Sequence, residues 1–382
     1  MIFAAPKLTG DDLEVISKIE EMRNSLKYSM STPMRWSGFL RRNTFARALK
    51  GSNSIEGYNV TAEDAMAIAE GEEPVEAERD TWLNVMGYRN AMTYVLQLSK
   101  SPRFSYNEGF IRSLHYMMLS HDLSKNPGNW RPGPIYVRDQ AKQETVYEGP
   151  PVERLTRLID ELMNSMNYDG QQHTVIKAAM AHLNLVMIHP FSDGNGRMGR
   201  CVQTLALARE GILEPTFCSI EEYLGKNTIE YYNVLAQVGK GAYHPENDAS
   251  PWIRFTLTAH YRQAATLVRR SRMLQRLWDQ LEMEIERRSL PDRTIVALAD
   301  AASGLKVRNP IYRAQAEISE NLATRDLKML VDAGLLIAKG EKRGREYIAA
   351  EPVIQISRMA WEPRITEDPY ETVKPENLRL FP

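Results

Sequence analysis

The stretch that most constrains the fold is an apolar helical pattern near the middle of the chain that ends in proline and glycine residues. Residues His173 to Ile188 are rich in Ala, Leu, Val and Met, and their spacing predicts a helix. Pro190 disfavours helical geometry at His189, so the helix is predicted to end there. A second helix is predicted from about Gly196 to Glu210. The sequence therefore predicts two consecutive helices joined by a glycine-containing loop.

Helical periodicity extends over most of the remaining chain, which predicts a mainly α-helical protein. The predicted helices are Asp11 to Tyr28, Trp36 to Lys50, Ala62 to Glu70, Arg79 to Leu98, Asn107 to Leu119, Val152 to Met166, and a long helix from about Trp252 to Arg288. The segment Pro127 to Pro151 breaks this pattern. Within it the β-favouring triplets Ile135-Tyr136-Val137 and Thr145-Val146-Tyr147 flank a polar turn, Asp139 to Glu144, which predicts a small β-hairpin.

The chain changes character after the long helix. From Asp292 to Ala350 the pattern is helix, loop, helix and then two short strands around a basic turn, Gly340 to Arg345. This order resembles a winged-helix domain, with Ser319 to Asp332 as the recognition-type helix. Its basic residues are Arg325, Lys328, Lys342, Arg343 and Arg345, and its helix also carries Glu320, Asp326 and Asp332. Because the helix is not a clean basic stripe, docking of a protein is favoured over DNA binding.

The bulk composition excludes several classes of protein. The 382 residues carry a net charge of -1, so the whole chain is not attracted to nucleic acid or to an anionic membrane. Its two cysteines form no CxxC pair, which argues against a disulfide framework or a cysteine zinc site. No secretory signal and no membrane-length apolar segment are recognised in the sequence. We therefore expect a cytoplasmic protein with no membrane partner.

The loop between the two central helices has the chemistry of a phosphate site. A glycine-rich loop that opens a helix directs free backbone N–H groups and the positive end of the helix dipole at one place. Arg197 and Arg200 lie three apart on that helix and can both bind phosphate oxygens. Asp193 offers a hard oxygen ligand for Mg²⁺, and His189 can accept a proton near neutral pH. These groups together suit phosphoryl or nucleotidyl transfer.

The loop sequence HPFSDGNGRMGR resembles the signature of the Fic family, HxFx[D/E]GNGRxxR, at every specified position. The resemblance implies that His189 is the general base and that Phe191 anchors the loop. It also implies that Asp193 holds Mg²⁺ on the phosphates of ATP. The implied nucleotide-binding residues are Gly194, Asn195, Gly196, Arg197 and Arg200, with Tyr231 and Tyr232 in the adenosine pocket. Gly196 favours transfer of AMP, since the Doc-like branch that phosphorylates its targets has Lys there.

Two flanking segments extend the resemblance. The hairpin with Ile135, Tyr136 and Val137 is similar to the family's flap, which binds a target segment by strand addition. The string Ser52-Asn53-Ser54-Ile55-Glu56-Gly57 resembles the family's inhibitory motif, [S/T]xxxE[G/N]. In that motif the glutamate pairs with the second arginine, here Arg200, and keeps the γ-phosphate of ATP away. The resemblance implies low basal activity and autoinhibition by Glu56 with Ser52. The same glutamate serves removal of AMP in some relatives.

The expected fold is a mainly α Fic-type helical bundle with a small β-hairpin flap, followed by a winged-helix domain. The expected divisions are an N-terminal helical region with the inhibitory helix at 1–100, a Fic core at 101–250, a connecting helix at 251–289, a winged-helix domain at 290–350 and an irregular tail at 351–382. The expected activity is Mg²⁺-dependent transfer of AMP from ATP to a hydroxyl of a protein bound at the flap. Self-modification, a homodimer, AMP removal and a nucleotide-sensing DNA-binding regulator remain alternatives.

Overall fold

The computed structural model describes residues 1–31, 35–139, 144–168, 170, 172–211, 213–340, 345–364 and 367–372. Most of the predicted polar turn of the hairpin, and Lys342 and Arg343 of the basic turn, lie outside these residues. The chain divides into two compact units. The first comprises Met1–Tyr28, Thr44–Ala265 and Thr366–Pro382, and the second comprises Ser29–Asn43 and Thr266–Ile365. The finer divisions expected from the sequence stay predictions.

The described residues are mainly helical, which confirms the predicted fold class. The helices are α1 (Gly10–Ser31), α2 (Ser37–Ile55), α3 (Ala62–Glu70), α4 (Arg79–Leu98), α5 (Glu108–Leu119), α6 (Leu155–Asn167), α7 (Thr174–Ile188), α8 (Asn195–Ala208), α9 (Glu221–Lys226), α10 (Thr228–Gly239), α11 (Ser250–Arg287), α12 (Ile295–Ala302), α13 (Asn309–Gln315), α14 (Glu320–Asp332), α15 (Glu351–Ala360) and α16 (Pro369–Thr372). The strands are β1 (Tyr136–Asp139), β2 (Glu144–Glu148), β3 (Leu336–Lys339) and β4 (Glu346–Ala349).

Helices α7 and α8, both predicted from the sequence, pack against each other in the first unit. Leu183 and Leu185 of α7 and Leu205 of α8 are completely buried. Burial of each such side chain stabilises the fold by about 1.5–3 kcal/mol. The two helices approach closely at Gly199, where an added Cβ would lie 2.6 Å from Cδ2 of His182. Glycine at this position therefore sets how near α8 can lie to α7.

Helix α2, which carries the predicted inhibitory motif, packs closely on α9. A Cβ at Gly51 would collide with the backbone oxygen of Glu221, and a Cβ at Gly225 would lie 2.6 Å from Cα of Gly51. Helix α2 ends at Ile55, and Gly57 follows in a left-handed conformation with φ of 88°. Because an L side chain is strained at this φ, glycine ends the helix here.

The predicted hairpin is present, with β1 and β2 antiparallel and an irregularity between Val137 and Arg138. The first strand begins at Tyr136, so Ile135 precedes it. Beyond the hairpin, the backbone N–H of Glu148 donates to the carbonyl of Gly241 at 2.9 Å. This bond ties the end of β2 to the segment after α10, so the base of the hairpin is fixed on the helical body.

The second unit contains α12, α13, α14, β3 and β4 in this order, with an isolated antiparallel bridge between Val307 and Tyr347. Asp326 of α14 is completely buried. It accepts two hydrogen bonds from Arg293, at 2.8 and 2.9 Å, and one from the hydroxyl of Tyr312 at 3.0 Å. Asp326, one of the charged residues of the predicted recognition-type helix, thus faces the interior and not a ligand. The winged-helix assignment itself stays a prediction.

The expectation of an irregular tail after residue 350 is wrong for residues 351–360, which form α15. Pro352 lies in the first turn, where the missing backbone N–H costs no intrahelical bond. Val353, Ile356 and Ala360 are buried with helical spacing. The proline thus lies at the beginning of a helix and not in irregular structure. In the first unit, Tyr370 of the short α16 lies under the guanidinium of Arg254 at 4.0 Å.

Candidate active site

The loop between α7 and α8 is closed by its own side chains. Asn195 accepts a hydrogen bond from the backbone N–H of Phe191 at 3.0 Å and donates one to its carbonyl at 2.9 Å. Phe191 is completely buried, as an anchor must be. Gly194 adopts φ of 77° immediately before α8. These constraints hold the backbone of the loop in one conformation, with the N-terminus of α8 at its end.

His115 of α5, which the sequence did not single out, supports the loop from behind. Its ring stacks on Phe191 with 3.7 Å between centroids. Its Nδ1 accepts from the backbone N–H of Gly128 at 2.9 Å, so Nε2 carries the hydrogen and donates to the carbonyl of Asp193 at 3.1 Å. Burial lowers the pKa of His115 to about 4. The ring is therefore neutral, and it fixes the peptide that carries the predicted metal ligand.

His189 stands at the C-terminal end of α7 with a left-handed backbone, φ of 51°. Its Nδ1 lies 3.0 Å from the carbonyl oxygen of Val186, which can only accept a hydrogen bond. Nδ1 therefore carries the hydrogen in this contact, and Nε2 keeps a lone pair that can take up a proton. Desolvation lowers the pKa of His189, and the nearby Arg131 guanidinium acts in the same direction. The side chain is thus a neutral base at physiological pH.

Asp193 is suited to a metal but is paired with a lysine. Its Oδ1 accepts from the backbone N–H of Gly194 at 2.6 Å, and its Oδ2 lies 3.2 Å from Nζ of Lys125. About a quarter of the side chain is accessible. No cluster of three or more His, Cys, Asp or Glu side chains suited to a metal occurs within the described ranges. A magnesium ion held by Asp193 would need nucleotide phosphates and water to complete its coordination.

Both motif arginines are buried, each with one nitrogen that lacks a hydrogen-bond partner in the described part of the chain. Arg197 donates to Oδ1 of Asn84 at 3.1 Å and lies over the ring of Tyr58 at 5.4 Å, while its Nε has no partner. Nη1 of Arg200 likewise has no hydrogen-bond partner among the described residues. Unpartnered donors of buried cations are costly to leave unsatisfied. Their presence beside the N-terminus of α8 fits a site that binds an anion.

The remaining donors of Arg200 are taken by α2 and the residue beyond it. Nε donates to Oγ of Ser52 at 2.7 Å, and Nη2 donates to the carbonyl of Ser52 at 3.1 Å and to Oε1 of Glu56 at 2.7 Å. Burial acts to lower the pKa of Arg200, but the Glu56 carboxylate outweighs it and the pKa is raised. Both predicted inhibitory residues therefore contact the predicted phosphate-binding arginine.

Glu56 also occupies the space at the beginning of α8. A Cβ at Gly196 would lie 2.7 Å from Oε1 of Glu56, and 3.2 Å from Nη1 of Arg200. The carboxylate thus lies directly over the glycine whose backbone N–H belongs to the predicted anion site. A negative charge already fills this place in the structure.

Residues 105–207 match the family model described as Fic/DOC family. This middle part of the chain is therefore similar to the Fic/DOC family. It is 29% identical over 264 residues to a protein adenylyltransferase Fic of Nematostella vectensis, covering 66% of this chain and 55% of that protein. It is 27% identical over 251 residues to a protein adenylyltransferase Fic of Drosophila melanogaster, covering 63% and 47%. The chain thus spans about half the length of the curated relatives it matches.

Solved structures show the same Fic fold. A Fic family protein from Desulfovibrio desulfuricans G20 aligns with a TM-score of 0.59 at 20% identity, covering 91% of this chain and 98% of that one. Residues 134–508 of Fic-1 from C. elegans align with a TM-score of 0.54 at 20% identity, covering 67% and 72%. No helix in the described part of the chain is long and apolar enough to cross a membrane.

The Fic loop thus brings together the residues predicted from its motif, but the two tyrosines differ in position. Tyr231 is buried, and its hydroxyl lies 3.0 Å from Nε2 of His182, behind the loop. Tyr232 is 47% exposed and donates to the carbonyl of Ile55 at 3.2 Å, at the end of α2. Of the pair, Tyr232 is the one with surface available to a nucleotide, so the adenosine role stays a prediction for Tyr232 and is poorly matched by the burial of Tyr231.

Several residues at the site have no signal in the sequence motif. They are Asn84 and Tyr58 on Arg197, Lys125 on Asp193, His115 on Phe191, and Arg131 on the backbone of His189. Each comes from a segment far from the motif along the chain. Only Arg131 lies in a segment that the sequence connected with the flap.

Proposed function

We propose that this chain is a protein adenylyltransferase that transfers AMP from ATP to a hydroxyl side chain of a target protein, and that Glu56 holds it in a state of low activity. The observation that carries the proposal is the site around Arg200. Two buried arginines with unpartnered donors lie in the first turns of α8, beside its N-terminus, and His189 lies in the loop before it. The matched relatives named protein adenylyltransferase support the reaction type.

In the proposed reaction the arginines and the backbone of α8 bind the β- and γ-phosphates of ATP. Nε2 of His189 takes the proton from the hydroxyl of the target as its oxygen attacks the α-phosphorus. The bond between the α-phosphorus and the bridging oxygen breaks, and pyrophosphate leaves. Mg²⁺ held by Asp193 would neutralise charge on the phosphates. The flap, β1 and β2, would hold the target segment by strand addition, with Tyr136 48% exposed on β1.

The proposed inhibition follows from charge and space. The Glu56 carboxylate is 2.7 Å from Nη2 of Arg200 and covers Gly196. A phosphate of ATP that uses Arg200 must displace this carboxylate or accept a like charge next to it, which disfavours binding. The second contact, through Ser52, keeps Arg200 directed toward α2. Low basal activity is the expected consequence.

The test compares wild type, Glu56→Gly and Glu56→Gly/His189→Ala with α-labelled ATP, Mg²⁺ and cell lysate. Label on protein should rise at least about tenfold in Glu56→Gly, which corresponds to about 1.4 kcal/mol less inhibition, and disappear in the double variant. Glu73→Gly is the matched control, because Glu73 is an exposed carboxylate in the loop after α3. A Glu56→Gly protein no more active than wild type would refute the inhibition. Absence of label in every lane would refute AMP transfer.

Removal of AMP is a second reaction that the same groups can carry. About a quarter of the Glu56 side chain is accessible beside the loop, which leaves a carboxylate oxygen within reach of water. Wild type and Glu56→Gly are therefore also mixed with a target that Glu56→Gly has modified beforehand. Loss of label with wild type alone would make AMP removal the main activity of the unmodified chain. Stable label with both proteins supports inhibition as the role of Glu56.

A further inference from the structure

Arg131 makes an unusual set of hydrogen bonds to backbone carbonyls. Its side chain is buried, with 2% exposed. Nε donates to the carbonyl of His189 at 2.9 Å, Nη1 donates to that of Gly133 at 2.6 Å, and Nη2 donates to that of Pro150. The backbone N–H of Arg131 donates to the carbonyl of Pro190 at 2.9 Å. One residue thus holds four separate carbonyls.

These carbonyls belong to two parts of the proposed site. Gly133 precedes β1 and Pro150 follows β2, so the guanidinium holds both ends of the hairpin. The same guanidinium also binds, through Nε, the carbonyl of His189, the proposed base. The fixed fork of a guanidinium can direct three donors at once, which the single ammonium of lysine cannot do with the same geometry. The distance between the flap and the Fic loop is therefore set at Arg131.

The held peptide has a conformation that needs support. His189 has φ of 51°, a left-handed region that non-glycine residues occupy at a cost of order 1–3 kcal/mol. Apart from the contact of its ring with Val186, its backbone is held on the C-terminal side by Arg131. Removal of these bonds would let the peptide rotate and would move Nε2 away from the flap.

We propose that Arg131 is a positioning residue that fixes the direction of the His189 ring relative to the flap, so that a target hydroxyl held on the hairpin meets Nε2. The reaction in this statement rests on the proposed function, whereas the coupling between flap and histidine does not. All four of these hydrogen bonds go to backbone carbonyls, so Arg131 positions the proton acceptor through the backbone.

The charge of Arg131 gives the proposal a second readout. Besides Arg131, the charged groups that act on His189 are Glu56 after α2 and Asp193 in the loop, which both raise its pKa. Tyr147 on β2 donates from its hydroxyl to the carbonyl of Met187 at 2.6 Å, two residues before His189. Burial raises the pKa of Tyr147, so its hydroxyl stays neutral. Arg131 is thus the cation in this set that favours the neutral ring. Loss of its charge should raise the pKa of His189, while loss of geometry alone should not.

The test uses the full chain with Glu56→Gly as the parent protein. Arg131→Lys or Arg131→Met is added to this parent. Arg157→Met in the same parent is the control, because Arg157 is an exposed arginine on α6. Three quantities are measured: kcat and KM for the target, affinity for a non-hydrolysable ATP analogue, and the His189 pKa by NMR titration. Both Arg131 variants should lose about 10- to 100-fold in kcat and keep analogue affinity within about twofold, since Arg197 and Arg200 are untouched. Only Arg131→Met should raise the pKa.

The outcomes separate the proposal from its alternatives. An unchanged kcat in Arg131→Lys, or an unchanged His189 pKa in Arg131→Met, would overturn it. If Arg131→Met does not fold, as thermal unfolding would reveal, Arg131→Lys decides alone, because lysine keeps the charge and most of the volume. If the Glu56→Gly parent transfers no AMP, the proposed function fails. The NMR titration then still tests whether Arg131 controls the protonation of His189.

Discussion

His189 donates from Nδ1 to the carbonyl of Val186, so any proton taken from a target must be held on Nε2. Desolvation and Arg131 lower the pKa of this side chain, whereas Glu56 acts to raise it. In a Glu56→Gly protein the last influence is gone, and the pKa should fall further. The neutral, active base therefore persists below the ordinary histidine value of 6.5.

The pH dependence of Glu56→Gly should follow from this direction. We expect kcat/KM, measured between about pH 5 and pH 8, to fall on the acid side with a midpoint below 6.5. Histidine with an ordinary pKa would already have lost half of its base at 6.5. An acid limb centred at or above that value would contradict the role of burial. Thermal unfolding over the same pH range controls for loss of the fold.

Gly196 gives a second prediction at the residue scale. A Cβ there would lie 2.7 Å from Oε1 of Glu56, in the space that the proposed phosphate also needs. Gly196→Ala should therefore weaken the contact of Glu56 without raising activity, because the methyl group blocks the phosphate as well. In calorimetry, ATP-analogue affinity should rise in Glu56→Gly and fall at least about tenfold in Gly196→Ala. An increase of affinity in Gly196→Ala would show that carboxylate and phosphate occupy different places.

The motif residues could be predicted to act together because twelve consecutive positions specify one loop between two helices. The partners that orient them could not. Asn84 reaches Arg197 from 113 residues away, and His115 reaches Asp193 from 78 residues away. Such pairings depend on how helices pack, and an asparagine or histidine in a helical pattern is indistinguishable from an ordinary polar residue. Tyr231 is the opposite case. The resemblance implied a role in the adenosine pocket, but the sequence did not reveal that its side chain is buried.

At the scale of elements, the state of the site depends on how α2 lies on α9. A Cβ at Gly51 would collide with the backbone oxygen of Glu221, and a backbone atom cannot move aside as a side-chain end can. Gly51→Ala should therefore push α2 away from α9 and cost about 1–3 kcal/mol of stability. Since Ser52 is the next residue, its bonds to Arg200 should weaken with the helix.

We expect Gly51→Ala to raise AMP transfer above wild type while lowering the melting temperature. The matched control is Gly38→Ala in the same helix, where the nearest atom to an added Cβ is Nη1 of Arg42 at 3.6 Å and nothing must shift. Activity is measured as label on protein, and stability by thermal unfolding. Equal basal activity of Gly51→Ala and wild type, despite a lower melting temperature, would mean that the packing of α2 does not control the inhibition.

Element boundaries were predictable where caps and apolar spacing agree. Ala62–Glu70 and Arg79–Leu98 have the bounds that the sequence gives, and Thr61 and Gly71 cap the first of them. The helix from Glu351 was missed because Pro352 and a polar tail resemble irregular structure, while its stabilisation comes from burial of Val353 and Ile356. Burial of this kind depends on distant residues, so local sequence cannot reveal it.

At the scale of the whole molecule, charge decides what the second unit can bind. The chain has a net charge of -1. Asp326 is paired with Arg293, and Glu320 is paired with Arg313 at 3.2 Å. Both acidic side chains of α14 therefore already have a cationic partner within the protein. The exposed cations of the predicted recognition-type helix and basic turn, among described residues, are Arg325, Lys328 and Arg345. Three exposed cations are few for tight binding of a DNA duplex.

Binding to DNA should accordingly be weak and only mildly dependent on salt. Neutralisation of three phosphates gives a slope of log K against log salt of about -2.7 and leaves affinity in the non-specific range, about 10⁻⁴–10⁻⁶ M. We expect fluorescence anisotropy of a labelled duplex with the full chain to give such values. Arg325→Ala/Lys328→Ala, which removes two of the three cations, should reduce the slope to about -0.9. Suppose instead that the wild-type dissociation constant is well below micromolar and that the double variant no longer binds the duplex. Two side chains on one helix face would then carry specific recognition of DNA, and the expectation of protein docking would be overturned. A steeper slope without specificity would mean that Lys342 and Arg343 also contact the phosphates, and the surface would then be a general polyanion site.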